Sequence, residues 1–108
     1  MSSENELIKL YSERILALAT ELPAPARLDK PDGSVKKRSP LCGSTVTVDI
    51  KVQNGKISEF AQEVKACALG QASASVIGKF AAGCTITDIQ TARDELHDML
   101  KSLSLIHI

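Results

Sequence analysis

The cysteines are the side chains of this sequence best suited to chemistry, and the chain has three of them. Two, Cys42 and Cys67, lie within the stretch "SPLCGSTVTVDIKVQNGKISEFAQEVKACALGQAS". Two thiolates that converge in a fold suit a soft or borderline cation such as zinc, ferrous iron or an iron–sulfur cluster. The alternative is a pair of small buried hydrophobic residues. Spacing alone leaves both readings open, because the two cysteines do not form a close C-x-x-C pair.

The residues between these cysteines predict a β-hairpin. Apolar and polar residues alternate from Thr45 to Val52, the pattern of a strand with one buried and one solvent-exposed face. Asn54-Gly55 follows, the preferred pair for a two-residue turn. We expect Asp49 and Lys51 on the exposed face, in contact with solvent.

A bulge is needed to keep the second strand of the hairpin in phase with the first. Without it, Glu59 would lie on the buried face; one extra residue near Ser58 or Glu59 corrects this. The resulting register pairs Ile50 with Phe60, and Val46 with Val64. Continued to the far end, it brings Cys42 and Cys67 to the same end of the hairpin, on strands about 5 Å apart.

The two remaining candidate residues, Cys84 and His97, are harder to place at the same site. Cys84 lies between two predicted helices, about 20 Å from Cys67 at 1.5 Å per helical residue, and we expect a structural role for it. His97 flanks the apolar stripe of the last helix. It supplies a third metal ligand only if that helix packs beside the start of the preceding one. Cys67 itself lies at a helix N-terminus, which favours thiolate.

The order of elements predicts an α+β domain. An N-terminal helix is followed by a basic edge strand in "SVKKRS", the hairpin and two further helices. Small residues after Cys67 would let the second helix approach the sheet closely. Strands and helices are grouped, which indicates a small antiparallel sheet of about three strands, covered on one face by the N-terminal helix and two C-terminal helices.

Composition excludes several classes of function. The chain has 108 residues, 44% of them hydrophobic, and zero formal net charge, as expected for a single globular domain over residues 1–108. There is no charge excess to attract nucleic acid or an anionic membrane, and aromatic residues make up only 3%. No apolar run is long enough to span a membrane, and the N-terminus does not resemble a signal peptide. We expect a cytoplasmic protein.

Three segments together resemble a known family. "SPLCGSTVTVDIKVQNGKI", "KACALGQASASVIGKF" and "GCTITDI" are similar to the U-type iron–sulfur cluster assembly scaffolds, the NifU-like N-terminal domain. The resemblance covers most of the chain to about Leu100. Compared with the family, we expect the domain to be shortened at its C-terminus. Members hold iron, zinc or a nascent iron–sulfur cluster, receive sulfur from a cysteine desulfurase and pass the cluster to apo acceptor proteins. They do so as scaffolds rather than as enzymes.

The resemblance implies that Cys42 and Cys67 match the first two cysteine ligands. Ser44 stands where the family often has an aspartate, and His97-Asp98 where it often has His-Cys. His97 is therefore the weaker third candidate. With two firm ligands for a tetrahedral site, a second copy of the chain or a partner would have to complete the shell.

Other functions remain open from the sequence. One is a zinc-binding sulfur acceptor for a cysteine desulfurase. Another, from a different class, is a thiol-dependent peroxidase with one attacking and one resolving cysteine. A third is a degenerate, metal-free interaction module.

Overall fold

The computed structural model describes residues 3–106, which form three helices and a three-stranded antiparallel sheet. The elements are α1 (Ser3–Thr20), β1 (Gly33–Arg38), β2 (Thr45–Gln53), β3 (Lys56–Lys65), α2 (Ala68–Ala81) and α3 (Ile86–Ile106). The strand order is β1-β2-β3. The predicted α+β class is confirmed, as is the basic edge strand.

The hairpin register is the one that the sequence predicts. Ile50 pairs with Phe60 and Val46 with Val64, and the register shifts between Lys51 and Val52. Ser58 is the unpaired residue, because Lys51 lies opposite Glu59 and Val52 opposite Ile57. Asn54 and Gly55 have φ of 54° and 76°, the left-handed backbone of the predicted turn.

The prediction that Asp49 faces solvent is wrong, since its side chain is completely buried. Arg27 donates to both carboxylate oxygens, from Nε at 2.6 Å and from Nη2 at 3.1 Å. Ser34 Oγ and the backbone N–H of Leu28 also donate, at 2.5 and 3.1 Å. The bonds from Arg27 and then Ser34 hold the pKa of Asp49 well below its usual range. Because the carboxylate is fully hydrogen-bonded, it can be buried, and it fixes the segment before β1 to the sheet.

The second helix approaches the sheet through small residues, as the sequence predicts. Ala72, Ala74 and Ser75 are buried. The large apolar residues of α2 instead remain exposed: they are Leu69, Val76, Ile77 and Phe80. The small residues, and not the large apolar ones, therefore form the buried face of α2. The α2 helix also packs against α1.

The last helix begins at a well-formed cap and then leaves the body of the protein. The N–H of Thr85 donates to the carboxylate of Asp88 at 3.1 Å, and the N–H of Asp88 donates to the hydroxyl of Thr85 at 3.0 Å, which together form a capping box. Every residue from Ile86 to Ser102 is exposed. The radius of gyration is 16.1 Å, against about 13 Å for a compact domain of this length. No helix in the described part of the chain is both long and apolar enough to cross a membrane.

Candidate functional site

Cys42 and Cys67 lie at the same end of the sheet. The last pair of the β2–β3 ladder joins Thr45 to Lys65. Cys42 stands three residues before Thr45, in the loop that connects β1 to β2, and Cys67 stands two residues after Lys65. Both thiols are free and exposed. The register of the hairpin thus also brings the two cysteines to one end of the sheet.

The loop around Cys42 is closed by its own backbone. The N–H of Ser39 donates to the carbonyl of Ser44 at 2.8 Å, and the N–H of Gly43 donates to the carbonyl of Ser39 at 3.0 Å. Gly43 has a φ of 74°, which a glycine adopts without strain. The Cys42 thiol lies 3.1 Å from the Ser44 hydroxyl. A tight turn therefore holds Cys42 between two serines.

These serines make Cys42 a reactive thiol. Hydrogen bonds from the side chain of Ser39, then from the side chain and backbone of Ser44, lower the pKa of Cys42 to about 7. Roughly half of the Cys42 side chains are thus thiolate at neutral pH, the form that binds metals and attacks electrophiles. This environment is not among the features predicted from the sequence. The serines on both sides of "PLCG" are the signal from which it could have been predicted.

Cys67 occupies the predicted position at the start of α2. It is the N-cap residue, with φ −67° and ψ 176°, and its side chain makes no capping hydrogen bond. Its carbonyl accepts the N–H of Gln71 at 2.9 Å, the first bond of the helix. The thiol is exposed at the N-terminus of the helix.

An apolar groove runs between the sheet and α2 and reaches the cysteine end. We call it the α2 groove; its volume is about 410 Å³. Its lining includes Ser39, Ser44 and Ala66, the near neighbours of the two cysteines, and Lys37 and Arg38 from the end of β1. The floor is apolar: Val46, Val48, Val64, Ala74 and Ile77 contribute to it.

Cys84 and His97 lie away from this end. The carbonyl of Cys84 accepts the N–H of Ile57 at 2.8 Å, which places Cys84 near the turn of the hairpin. Lys65 lies eight positions after Ile57 along β3, roughly 26 Å at 3.3 Å per residue. His97 lies on the exposed α3. Within residues 3–106, no group of three or more His, Cys, Asp or Glu side chains is placed to hold a metal ion.

The donor set at the cysteine end therefore fits part of a metal site. Two exposed thiols, one of them with a pKa of about 7, offer soft ligands for zinc, iron or a cluster. Such centres take four ligands in most proteins, and the fold provides two here.

Comparison with known proteins identifies the family of the chain. Residues 10–105 match the model of the NifU-like N-terminal domain. The chain belongs to this family. The NifU-like family is one of iron–sulfur cluster assembly scaffolds, in agreement with the resemblance found in the sequence. No curated protein sequence matches the chain.

Two solved structures of similar proteins share the fold. The N-terminal part of a nitrogen-fixing NifU-like protein from Brucella abortus is 46% identical, with a TM-score of 0.79. A protein from Fervidobacterium islandicum AW-1, described as an iron–sulfur cluster assembly scaffold of the SUF system, is 25% identical, with a TM-score of 0.64. The first likeness covers 85% of this chain and the second 71%. The present chain spans only 64% of the first of these two proteins and 57% of the second.

Proposed function

We propose that this NifU-like protein binds iron or a nascent iron–sulfur cluster through Cys42 and Cys67 and passes it on to acceptor proteins. The observation that carries this proposal is the placement of both thiols at one end of the sheet, on either side of the last β2–β3 pair. The cluster is cargo in this proposal. The protein contributes ligands and position, and no catalytic group.

Each cysteine would have a separate contribution. Cys42 is held in a closed turn. With a pKa of about 7, roughly half of the Cys42 thiols are ionised at neutral pH, so that metal binding releases on average only about half a proton per Cys42. Cys67 is exposed at the N-terminus of α2. We assign to Cys67 the acceptance of sulfur from a cysteine desulfurase: its thiolate would attack the outer sulfur of the enzyme's persulfide and release the enzyme's cysteine thiolate.

The solvent exposure of both thiols suits a transient rather than a permanent cluster. Both sulfurs are exposed to water, and a thiolate cluster with an incomplete, solvated shell is easily displaced by a competing set of thiols. That property agrees with a carrier. Transfer to apo acceptor proteins in the cytoplasm belongs to the same proposal.

Metal and cluster content of matched variants tests the proposal. Wild type, Cys42→Ser, Cys67→Ser and Cys84→Ser are purified without added metal or chelator, and an iron–sulfur cluster is then reconstituted anaerobically. We expect Cys42→Ser and Cys67→Ser to lose metal and cluster. Cys84→Ser is the control and should match wild type, because Cys84 lies near the other end of the sheet.

The same measurement separates the alternatives. Zinc without a reconstitutable cluster would indicate the zinc-binding sulfur acceptor. Absence of metal from wild type, with no cluster after reconstitution, would overturn the proposal. It would favour the thiol-dependent peroxidase or the metal-free interaction module. Equal metal content in all four proteins would overturn the assignment of the ligands.

A further inference from the structure

Four cationic side chains gather at the cysteine end of the sheet. Lys36, Lys37 and Arg38 end β1, and Lys65 ends β3. All four are exposed. The ion pairs among the described residues involve other cations, so these four charges have no carboxylate partner in that part of the chain. We call the four residues the basic patch.

The zero net charge of the chain conceals the basic patch. Carboxylates are concentrated elsewhere, and α3 alone carries four of them against two cations. The last three rows of the sheet contain the whole patch and one carboxylate, that of Glu63. Exposed charges of one sign attract the opposite sign over about a Debye length, roughly 8 Å at physiological ionic strength. One end of a neutral molecule therefore carries a positive potential.

The strand register sets the spacing of two of these cations. Arg38 pairs with Thr45, and Thr45 pairs with Lys65. Paired residues of an antiparallel sheet project from the same face, so Arg38 and Lys65 flank Thr45, with their Cα atoms roughly 10 Å apart. An extended peptide covers about 10 Å in three residues. Two carboxylates of one extended segment can therefore contact both cations at once.

The same two cations adjoin the two cysteines. Nη2 of Arg38 lies 3.6 Å from the position that a Cβ would take at Gly43, the residue after Cys42. Lys65 stands two residues before Cys67, roughly 7 Å along the chain. Lysines on an edge strand also discourage pairing with a further strand, but that role does not account for a guanidinium that reaches the Cys42 turn. An acidic segment bound by the basic patch would thus lie beside both thiols.

We propose that the basic patch docks an acidic segment of the protein that exchanges sulfur or cluster with Cys42 and Cys67. Carboxylates of that segment contact Arg38 and Lys65, and so bring the partner's own sulfur to the two thiols. Charge complementarity of this kind acts mainly on the rate of association and on the choice of partner. The nature of the cargo rests on the proposed function, whereas the docking of an acidic segment does not.

Two synthetic peptides test the docking on the metal-free protein. Each carries one cysteine activated as a pyridyl disulfide, and the peptides differ only in having four glutamates or four glutamines around it. A protein thiolate attacks the sulfur of the peptide cysteine, forms a protein–peptide disulfide and releases pyridinethione, whose absorbance gives the rate. Mass spectrometry assigns the reaction to each cysteine.

We expect the glutamate peptide to react roughly tenfold faster than the glutamine peptide at Cys42 and Cys67 in low salt, because the basic patch concentrates it there. The ratio of the two rates should fall toward one in 1 M salt, where the Debye length is about 3 Å. At Cys84, near the turn of the hairpin, the ratio should stay close to one. A ratio close to one at Cys42 and Cys67, or an equally large ratio at Cys84, would overturn the docking.

Charge variants test the assignment of the docking to Arg38 and Lys65. Arg38→Gln and Lys65→Gln should each lower the rate ratio several-fold, and Arg38→Lys should keep most of it. Lys56→Gln is the matched control, because it removes an exposed cation from the other end of β3. A change in the intrinsic reactivity of a thiol affects both peptides alike, so a purely structural role of Arg38 would leave the ratio unchanged. Equal ratios for Arg38→Gln and Lys56→Gln would overturn the assignment.

Metal and cluster content distinguishes failure of the docking from failure of the proposed function. A cluster bound through Cys42 and Cys67, together with equal rates for the two peptides, would overturn the docking and leave the proposed function standing. A strong preference for the glutamate peptide in a protein that binds neither metal nor cluster would overturn the proposed function and leave the docking standing.

Discussion

Replacement of Gly70 by alanine should show how closely the position of Cys67 depends on the packing of α2. A Cβ at Gly70 would lie 2.6 Å from the Cβ of Ala66, whereas carbon atoms prefer a separation of about 3.5–4.0 Å. The neighbour is bound directly to the backbone, so the backbone itself must move by about 1 Å. Overpacking of this kind costs about 1–3 kcal/mol, and the better helix propensity of alanine returns at most about 1 kcal/mol.

We therefore expect Gly70→Ala to lower the free energy of unfolding by roughly 1–2 kcal/mol. Because Ala66 directly precedes Cys67, the same shift moves Cys67 relative to Cys42. Zinc affinity should then fall roughly tenfold, the usual effect of disturbing a residue that orients a metal ligand. Urea denaturation of the metal-free protein and zinc competition against a chromogenic chelator measure the two effects.

Gly78→Ala in the same helix is the matched control. Its Cβ would lie 3.0 Å from Nε2 of the Gln62 side chain, which can turn away at the loss of its 2.9 Å bond to the carbonyl of Ala74. That loss, about 1 kcal/mol, is similar to the gain in helix propensity, so stability and zinc affinity should stay close to wild type. Equal stability and equal zinc affinity for the two variants would refute the reasoning.

Two further predictions concern titration and reactivity. Because the pKa of Asp49 is lower in the folded than in the unfolded protein, its carboxylate contributes stability that is fully present above about pH 4 and is lost as the pH falls below it. The urea midpoint should therefore fall less steeply from pH 7 to 2 in Asp49→Asn than in wild type. Equal slopes for the two proteins would contradict this. Ser39→Ala and Ser44→Ala should raise the pKa of Cys42 above about 7. Alkylation of Cys42 at pH 7 should slow several-fold in each variant, and an unchanged pH–rate profile would exclude the serines as the cause.

The local signals in the sequence were sufficient to predict the hairpin and with it the gathering of the cysteines. Asn54-Gly55 specifies the turn, and the phase of the apolar residues around Ser58 requires a bulge, so the register follows from the chain itself. The small residues after Cys67 likewise predicted the close approach of α2.

Features that depend on distant partners could not be predicted in the same way. Asp49 reads as a solvent-facing residue because alternation carries no information about Arg27, which is 22 residues earlier in the chain and satisfies the carboxylate. The exposure of α3 has a similar cause. Its apolar stripe predicts that something covers the helix, but periodicity does not say whether the cover belongs to the same molecule. Cys42 and Cys67 as ligands, and His97 as a third, remain predictions.

Protection of the thiols by zinc tests the central claim, that Cys42 and Cys67 form one site, most directly. The wild-type protein is alkylated with and without zinc, and the modification of each cysteine is followed by mass spectrometry. We predict that Cys42 and Cys67 become protected together, over the same range of zinc concentration, while Cys84 reacts at the same rate in both samples. Protection of only one of the pair, or protection of the two at clearly different zinc concentrations, would contradict the shared site.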